Sequence, residues 1–260
     1  RNTAIGRATL GSPDTENDNV AVGYNSLAGS IAGGEFNVAI GSSALVALTS
    51  GDNNTAVGYQ AGAALTSAAS NTAVGYEAMG SGTVTGSENE ALGKHALKSL
   101  TSGTGNVAIG TEALKDTTSG SQNVAIGKQT LENTTASNSV AIGYQTLRNS
   151  TATGNIAIGK ETAKANTSGA RIIAIGTEAY DAADTEDDNL AIGTSALGGS
   201  VAGGEFNIAI GNYTLSSLTS GDTNVAVGYN AGFAITTGFK NVAVGSYALD
   251  AADTGQENTA

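Results

Sequence analysis

Short apolar segments recur along the whole chain at a nearly constant interval. Each has the form Asn-x-Ala-(Val/Ile/Leu)-Gly, and successive copies start 16 to 18 residues apart. The first column is Asn in fourteen of sixteen copies, with Ser139 and Ile172 as the exceptions, and the Ala two residues later never varies. Fifteen copies are completed by Gly. A period this regular indicates a repeat architecture rather than an ordinary globular core.

Within each copy, larger apolar residues alternate with Ala, which is typical of a β-strand. Val107 and Ile109 flank Ala108 in this way, so branched side chains are expected on one face and Ala on the other. A second segment follows, such as TEAL at 111–114, and is predicted to form a second short strand. Its fourth position is Leu in ten of fifteen copies. A loop rich in Ser, Thr, Gly, Asp and Asn then closes the unit.

Seventeen residues are too few for an independent core, but they suffice for one coil of a β-solenoid. We therefore predict an all-β solenoid of about 15 coils that forms a single repeat domain over residues 1–260. Equivalent residues of successive coils, such as Ala39, Ala56 and Ala73, are expected to lie directly above one another. Residues 1–87 match 171–257 at a constant offset of 170, which indicates duplication of a longer unit.

The side chains of the different repeat columns are expected to have different structural roles. Stacked Asn amides are expected to hydrogen-bond along the repeat axis and to local backbone. The Val/Ile column is expected to fill the coil interior, and the Ala column to lie at or near an interface between parallel chains of a homo-oligomer. The alternative is that Ala faces a thin second layer of its own coil. Three representative copies are Asn37, Ala39, Ile40 and Gly41; Asn106, Ala108, Ile109 and Gly110; and Asn207, Ala209, Ile210 and Gly211.

Composition and charge narrow the range of partners. The net charge is −12, which disfavours nucleic acid and anionic membrane surfaces as partners. No run of 18 apolar residues occurs, so this segment is not expected to insert into a membrane. The chain has no Cys, which excludes disulfides and thiolate metal sites. It begins and ends inside the motif, so coils are expected to continue beyond both ends.

The segments NVAIGTEAL at 106–114 and NTAVGYEAM at 71–79 resemble the YadA-like head repeats of trimeric autotransporter adhesins. The resemblance implies a left-handed parallel β-roll, a homotrimer and display on a cell surface as the adhesive head of a fibre. It also implies an unknown surface receptor, either a protein or a glycan. The unit here is longer than that family's usual one, and no heptad stalk is present. Similar repeats are expected in phage or virus tail fibres, which is the alternative interpretation.

The residue after each motif Gly forms a mixed polar column that suits an exposed face. Tyr is a good contact residue for sugars and proteins, so this column is a candidate contact surface. The alternative is an ordinary solvated column. Its tyrosines are Tyr24, Tyr59, Tyr76, Tyr144 and Tyr229, and Tyr59 and Tyr76 are expected to stack.

Little in the sequence indicates catalysis, and we predict no enzyme activity, no cofactor and no metal site. His95 occupies a variable position two residues after a motif Gly, without an evident partner. Two equivalent acidic loops could supply oxygen ligands to calcium, although solvated loops are the simpler interpretation. Phe36 and Phe206 are expected to pack inward as loop anchors. The acidic residues are Asp14, Glu16, Asp18, Asp181, Asp184, Glu186, Asp187 and Asp188.

Three functions compete at this point. The leading prediction is a structural and adhesive fibre segment located outside the cell or on a virion. The second is an ice-binding solenoid, for which a column three residues after Gly supplies an interrupted set of threonines. The third is a fibre enzyme that cleaves glycans, which would need paired carboxylates facing a groove. The threonines concerned are Thr9, Thr130, Thr146, Thr162 and Thr214.

Overall fold

A computed structural model of the chain describes residues 1–11, 17–29, 32–182, 185–199, 201–251 and 254–260. In this part the chain is an all-β parallel solenoid of about 14 turns, without a helix. The solenoid predicted from the sequence period is therefore confirmed. The chain divides into two compact units, Arg1–Thr135 and Ala136–Ala260.

Each coil contributes one three-residue strand centred on the motif Ala. The first unit contains β1 (Thr3–Ile5), β2 (Val20–Val22), β3 (Val38–Ile40), β4 (Thr55–Val57), β5 (Thr72–Val74), β6 (Glu90–Leu92), β7 (Val107–Ile109) and β8 (Val124–Ile126). The second contains β9 (Val140–Ile142), β10 (Ile156–Ile158), β11 (Ile173–Ile175), β12 (Leu190–Ile192), β13 (Ile208–Ile210), β14 (Val225–Val227) and β15 (Val242–Val244). Within each unit the strands pair in parallel and in chain order. Ala39 pairs with Ala56 and Ala56 with Ala73, as predicted.

The strands face the opposite way from the sequence prediction. Ala39, Ala108 and Ala209 are fully buried, whereas Ile40 is 40% exposed. The Val/Ile column therefore points outward, and the Ala column fills the coil interior instead of lying at an interface between chains. The weaker alternative, in which Ala faces a second layer of its own coil, is the correct one.

Leu side chains from the segment after the Gly explain why only Ala fits beneath the strand. Leu45, Leu97 and Leu114 are fully buried. Gly62 occupies the Leu position of its coil, and a Cβ built there would lie 2.8 Å from Leu45 Cδ2 and 3.3 Å from Ala56 Cβ. The coil interior is thus a large-against-small packing of Leu on Ala, which leaves no volume for Val or Ile.

The segment that carries Leu is a turn and not the predicted second strand. Two alternate residues in each coil have positive φ, for example Glu112 at 61° and Leu114 at 50°. Left-handed residues bend the chain too sharply for a strand and are disfavoured for Leu. Hydrogen bonds to both neighbouring coils offset this cost, since Glu112 N–H donates to Lys94 O at 2.9 Å and Leu114 N–H donates to Thr130 O at 3.1 Å.

The Asn column forms the buried amide ladder that the sequence indicated. Asn54 Oδ1 accepts hydrogen bonds from the backbone N–H of Asn71 at 3.0 Å and from its Nδ2 at 3.2 Å. Asn54 Nδ2 donates to Asn37 Oδ1 at 3.1 Å and to Ala68 O at 2.8 Å. Each amide therefore joins the next coil to its own and also satisfies a loop carbonyl. Because a buried amide without partners is costly, the ladder favours one register of coils.

The ladder is interrupted in the second unit where Ile172 replaces Asn. In most coils the Asn side chain donates to the preceding Asn, as Asn106 and Asn224 do, but Asn189 Nδ2 donates to Tyr180 Oη at 3.1 Å. The Tyr180 hydroxyl donates to Glu186 O at 2.9 Å, and its ring is fully buried at the Leu position of its coil. Buried Asn166 pairs with both the N–H and the carbonyl of Gly169. Neighbouring side chains thus replace the polar groups that Ile172 lacks.

Candidate binding surface

The column after the motif Gly lies at the surface of the coil, as the sequence predicted. None of its fifteen residues is buried. The predicted contact tyrosines, Tyr24, Tyr59, Tyr76, Tyr144 and Tyr229, are between 39 and 54% exposed. They follow directly on the Gly that ends the strand, so the fold places one such side chain at the same corner of every coil.

Tyr59 and Tyr76 stack on each other across adjacent coils, as predicted. Their ring centroids are 5.2 Å apart and their planes meet at 19°. His95 of the following coil contacts Tyr76 edge-on, with ring centroids 5.6 Å apart. Lys94 Nζ lies 5.8 Å from the centroid of the Tyr76 ring, within the range of a cation–π interaction. The stacked pair is therefore extended by a basic and an imidazole side chain.

These side chains belong to a larger group, which we call the tyrosine–lysine cluster: Tyr59, Tyr76, Glu77, Lys94, His95 and Lys98. Glu77 lies at its centre. Its Oε2 is 2.7 Å from Lys98 Nζ and 3.4 Å from His95 Nε2. An open depression in the surface is lined by all of the cluster except Tyr59. The cluster thus combines aromatic edges, two ammonium groups and one carboxylate on three consecutive coils.

The electrostatics of the cluster follow from its contacts. A hydrogen bond from Lys98 lowers the pKa of Glu77, and a hydrogen bond to Glu77 raises the pKa of Tyr76. Burial lowers the pKa of His95, and the nearby charge of Lys98 lowers it further. Because Nδ1 of His95 is buried without a hydrogen-bond partner, a proton on it would have no acceptor. At neutral pH the cluster therefore carries two positive charges and one negative charge.

A second aromatic group lies in the other unit. Tyr229 contacts Tyr213 and Tyr247 edge-on, with ring centroids 6.1 and 5.4 Å apart. All three rings are between 41 and 53% exposed. Tyr213 and Tyr247 occupy the position two residues after the motif Gly, one place beyond the predicted contact column. The group is uncharged, which distinguishes it from the tyrosine–lysine cluster.

Several carboxylates of the acidic loops are engaged by neighbouring residues where the structure describes them. Arg171 Nε lies 2.7 Å from Asp188, and Arg171 Nη2 lies 2.8 Å from Asp187. The Asp188 pKa is lowered by its hydrogen bond from Arg171. Glu186 accepts hydrogen bonds from Thr185 and from the backbone of Gly203. The described residues contain no group of three or more potential metal ligands. Asp14, Glu16 and Asp184 lie outside the described residues.

Two further expectations are corrected by the structure. Thr146 and Thr162 are fully buried, so their column cannot present an exposed array to ice. Thr146 Oγ1 donates to Gly159 O at 2.6 Å instead. Phe36 and Phe206 are 53 and 55% exposed rather than packed inward. Each directly precedes an Asn whose side chain is buried in the ladder, and the backbone turns at the Phe, where φ is positive.

The chain matches no protein-family model, and no curated protein or solved structure is significantly similar to it. In the part of the chain that is described, no helix has the length and hydropathy needed to cross a bilayer.

The sequence pattern does not predict the charged part of the tyrosine–lysine cluster. The repeat pattern predicts His95 to be a variable surface residue, but its side chain is only 16% exposed and contacts Glu77. The signal that could have found it is the register: residues 17 or 18 positions apart are neighbours, as are Glu77 and His95, or Tyr76 and Lys94. Lys98, in the next turn, is 21 residues from Glu77, a separation that the period alone does not reveal.

Proposed function

We propose that this chain is a segment of a homotrimeric surface fibre that mediates attachment to a host, matrix or cell surface. One observation carries the proposal: the residue after the motif Ala is a large aliphatic side chain in all fifteen copies, and it points away from the coil interior. Exposed fractions in this column reach 40% at Ile40, 49% at Leu92 and 59% at Val244.

These aliphatic residues, one per coil, form a stripe along the surface, which we call the aliphatic stripe and which is suited to contact with a partner. Isolated exposed apolar residues are ordinary, but a continuous stripe larger than roughly 300–600 Å² marks an interaction surface. Because the stripe repeats with the period of the coil, a second copy of the same chain in parallel register matches it at every coil. Closed symmetry then buries the stripes of all copies together. The assignment of three chains, and of a left-handed roll, comes from the resemblance to YadA-like head repeats.

The adhesive part of the proposal is supported by the tyrosine column. Its side chains lie one corner away from the aliphatic stripe and remain at the surface of the coil. Aromatic residues are enriched where proteins bind partners. Repetition along the fibre and across three chains offsets weak individual contacts, because linked sites raise the effective concentration for one another.

A charged substitution in the stripe tests the assembly. Ile40→Lys places one ammonium group per chain at the shared interface, where mutual repulsion and burial oppose association. We expect wild-type protein to sediment as three chains and the Ile40→Lys variant as one. Ser50→Lys, in the exposed loop after the same strand, is the matched control and should leave the assembly unchanged. A monomeric wild-type protein would contradict the proposed trimer.

The attachment function needs its own measurement. Beads coated with the wild-type chain are expected to adhere to cultured cells or to immobilised extracellular matrix, and beads coated with the monomeric Ile40→Lys variant to adhere less, since they lose multivalency. Failure of wild-type beads to adhere to any such surface would refute the adhesive function without affecting the assembly.

A further inference from the structure

The tyrosine–lysine cluster has the chemistry of a site for a small anionic ligand, on a chain that is otherwise strongly acidic. We propose that it binds a sugar residue carrying a single carboxylate, such as a sialic or uronic acid unit of a glycan. This inference rests on the adhesive function proposed above and names the ligand class of one part of that surface.

Lys94 is the cation that is free to meet a carboxylate. Its Nζ lies beside the Tyr76 ring, and among the described residues no carboxylate comes within ion-pairing distance of it. Lys98 is paired with Glu77 at 2.7 Å, so the negative charge of Glu77 is already compensated. With His95 uncharged, the six residues of the cluster carry a surplus of one positive charge, and Glu112 of the next coil, whose charge also acts on His95, accepts a hydrogen bond from Gln129. One carboxylate therefore neutralises this surplus.

The remaining groups of the cluster are suited to bind the hydroxyl groups of a sugar and not a second charged group on the ligand. Glu77 is an anionic acceptor that lines the depression, and Lys98 is a donor beside it. Tyr59 and Tyr76, each 46% exposed, add aromatic surface for the C–H groups of a pyranose. Donors, acceptors and aromatic carbon that converge on one depression are the usual composition of a site for a polar organic ligand. The depression is open to solvent, which favours a terminal unit of a larger glycan.

The overall charge argues against polyanions. The chain carries a net charge of −12, and a long sulfated glycan would extend beyond the cluster over acidic surface. Charge effects decay over about 8 Å at physiological ionic strength, so a single carboxylate at Lys94 senses chiefly the local surplus. The cluster is therefore expected to prefer a monoanionic sugar to a polyanionic one.

The test compares sialyllactose with lactose, which differ by the acidic sugar, using calorimetry and ligand-observed NMR on the assembled wild-type protein. We expect sialyllactose to bind and lactose to bind about two- to fivefold more weakly, as for one exposed ion pair. Lys94→Gln should weaken sialyllactose binding by a similar factor. Lys128→Gln is the matched control, because Lys128 is exposed at the equivalent position two coils on.

Three results would overturn the site. Equal binding of sialyllactose and lactose removes the carboxylate requirement. If Lys94→Gln and Lys128→Gln lose the same affinity for sialyllactose, binding results from general charge attraction. Binding of a heparin oligosaccharide as tightly as sialyllactose would show the same. Urea unfolding of Lys94→Gln should match wild type, which separates lost binding from lost folding. If beads coated with Lys94→Gln and Tyr76→Ala variants adhere to cells as wild-type beads do, the adhesive function stands and this site does not carry it.

Discussion

At most motif glycines the backbones of adjacent coils approach so closely that no side chain fits. Gly41 has a φ of 135°, and a Cβ there would lie 2.2 Å from the carbonyl oxygen of Gly58 in the next coil. The conformation and the contact each require glycine, for different reasons: L-residues are strained at this φ, and a carbonyl oxygen in a hydrogen-bonded stack cannot move aside. Glycine in this column thus allows the chain to turn directly after each strand, and the next residue belongs to the column that carries the tyrosines.

Two glycines on either side of β10, Gly154 and Gly159, separate these effects. At Gly159 an added Cβ would lie 2.5 Å from Gly176 O, whereas at Gly154, with φ of 76°, it would meet nothing within 4 Å. We expect Gly159→Ala to lower the free energy of unfolding by about 3 kcal/mol or more, and Gly154→Ala by about 1 kcal/mol, from strain alone. Urea unfolding monitored by circular dichroism measures both. Similar losses for the two variants would show that the close approach is not the dominant cost.

At the scale of the coil, each strand of three residues depends on its opposing turn. Leu side chains held in left-handed turns fill the interior beneath the strand Ala, and hydrogen bonds run from the turn to both neighbouring coils. Where the ladder residue is Ile172, the coil contains Tyr180 in place of Leu, and its hydroxyl reaches Asn189 and Glu186. The two departures from the repeat, Ile172 in place of Asn and Tyr180 in place of Leu, therefore compensate for each other within one coil. Burial raises the pKa of Tyr180 far above that of a free phenol.

Removal of the buried hydroxyl tests this coupling. Tyr180→Phe leaves Asn189 Nδ2 without one of its acceptors and should lower the free energy of unfolding by about 1–3 kcal/mol. Tyr144→Phe, at an exposed tyrosine, should change it by less than about 0.5 kcal/mol. Alkaline titration followed by ultraviolet absorbance should show Tyr180 ionising after the exposed tyrosines, because its ionised form is disfavoured by burial. Ionisation of all tyrosines together below the unfolding transition would contradict the buried position.

At the scale of the whole molecule, the aliphatic stripe would link folding to association in the proposed trimer. A chain that exposes such a stripe in every coil gains stability when identical chains cover it. Binding that favours the folded state raises stability with the concentration of the partner. The register of coils, set by paired Ala residues and the Asn ladder, keeps the stripe continuous within each unit.

Thermal unfolding should therefore depend on protein concentration. For a trimer, each tenfold increase in concentration is expected to raise the wild-type Tm by about 2–4 °C. The Ile40→Lys variant should unfold at a lower temperature that does not vary with concentration. Differential scanning calorimetry over a hundredfold range of concentration provides the measurement. A wild-type Tm that is constant over this range would count against assembly through the stripe.

The repeat period predicts some contacts of the tyrosine–lysine cluster but not others. The stacking of Tyr59 on Tyr76 was predictable, since residues one period apart in an exposed column must be neighbours. The pairing of Glu77 with Lys98 was not predictable, because it joins different columns through the geometry of a turn, where the sequence pattern predicts a strand. The unpartnered Nδ1 of His95 likewise depends on how the turn packs.

The amino-acid sequence alone determined the coil, its length, its strand centre and the alignment of equivalent residues, because each of these follows from the spacing of Asn, Ala and Gly. Only the tertiary structure decided which strand face lies inside. Alternation separates Val and Ile from Ala without saying which of two apolar faces is buried. The volume left by Leu27, Leu45 and their equivalents settles the choice, since it accepts a methyl group and excludes a branched side chain.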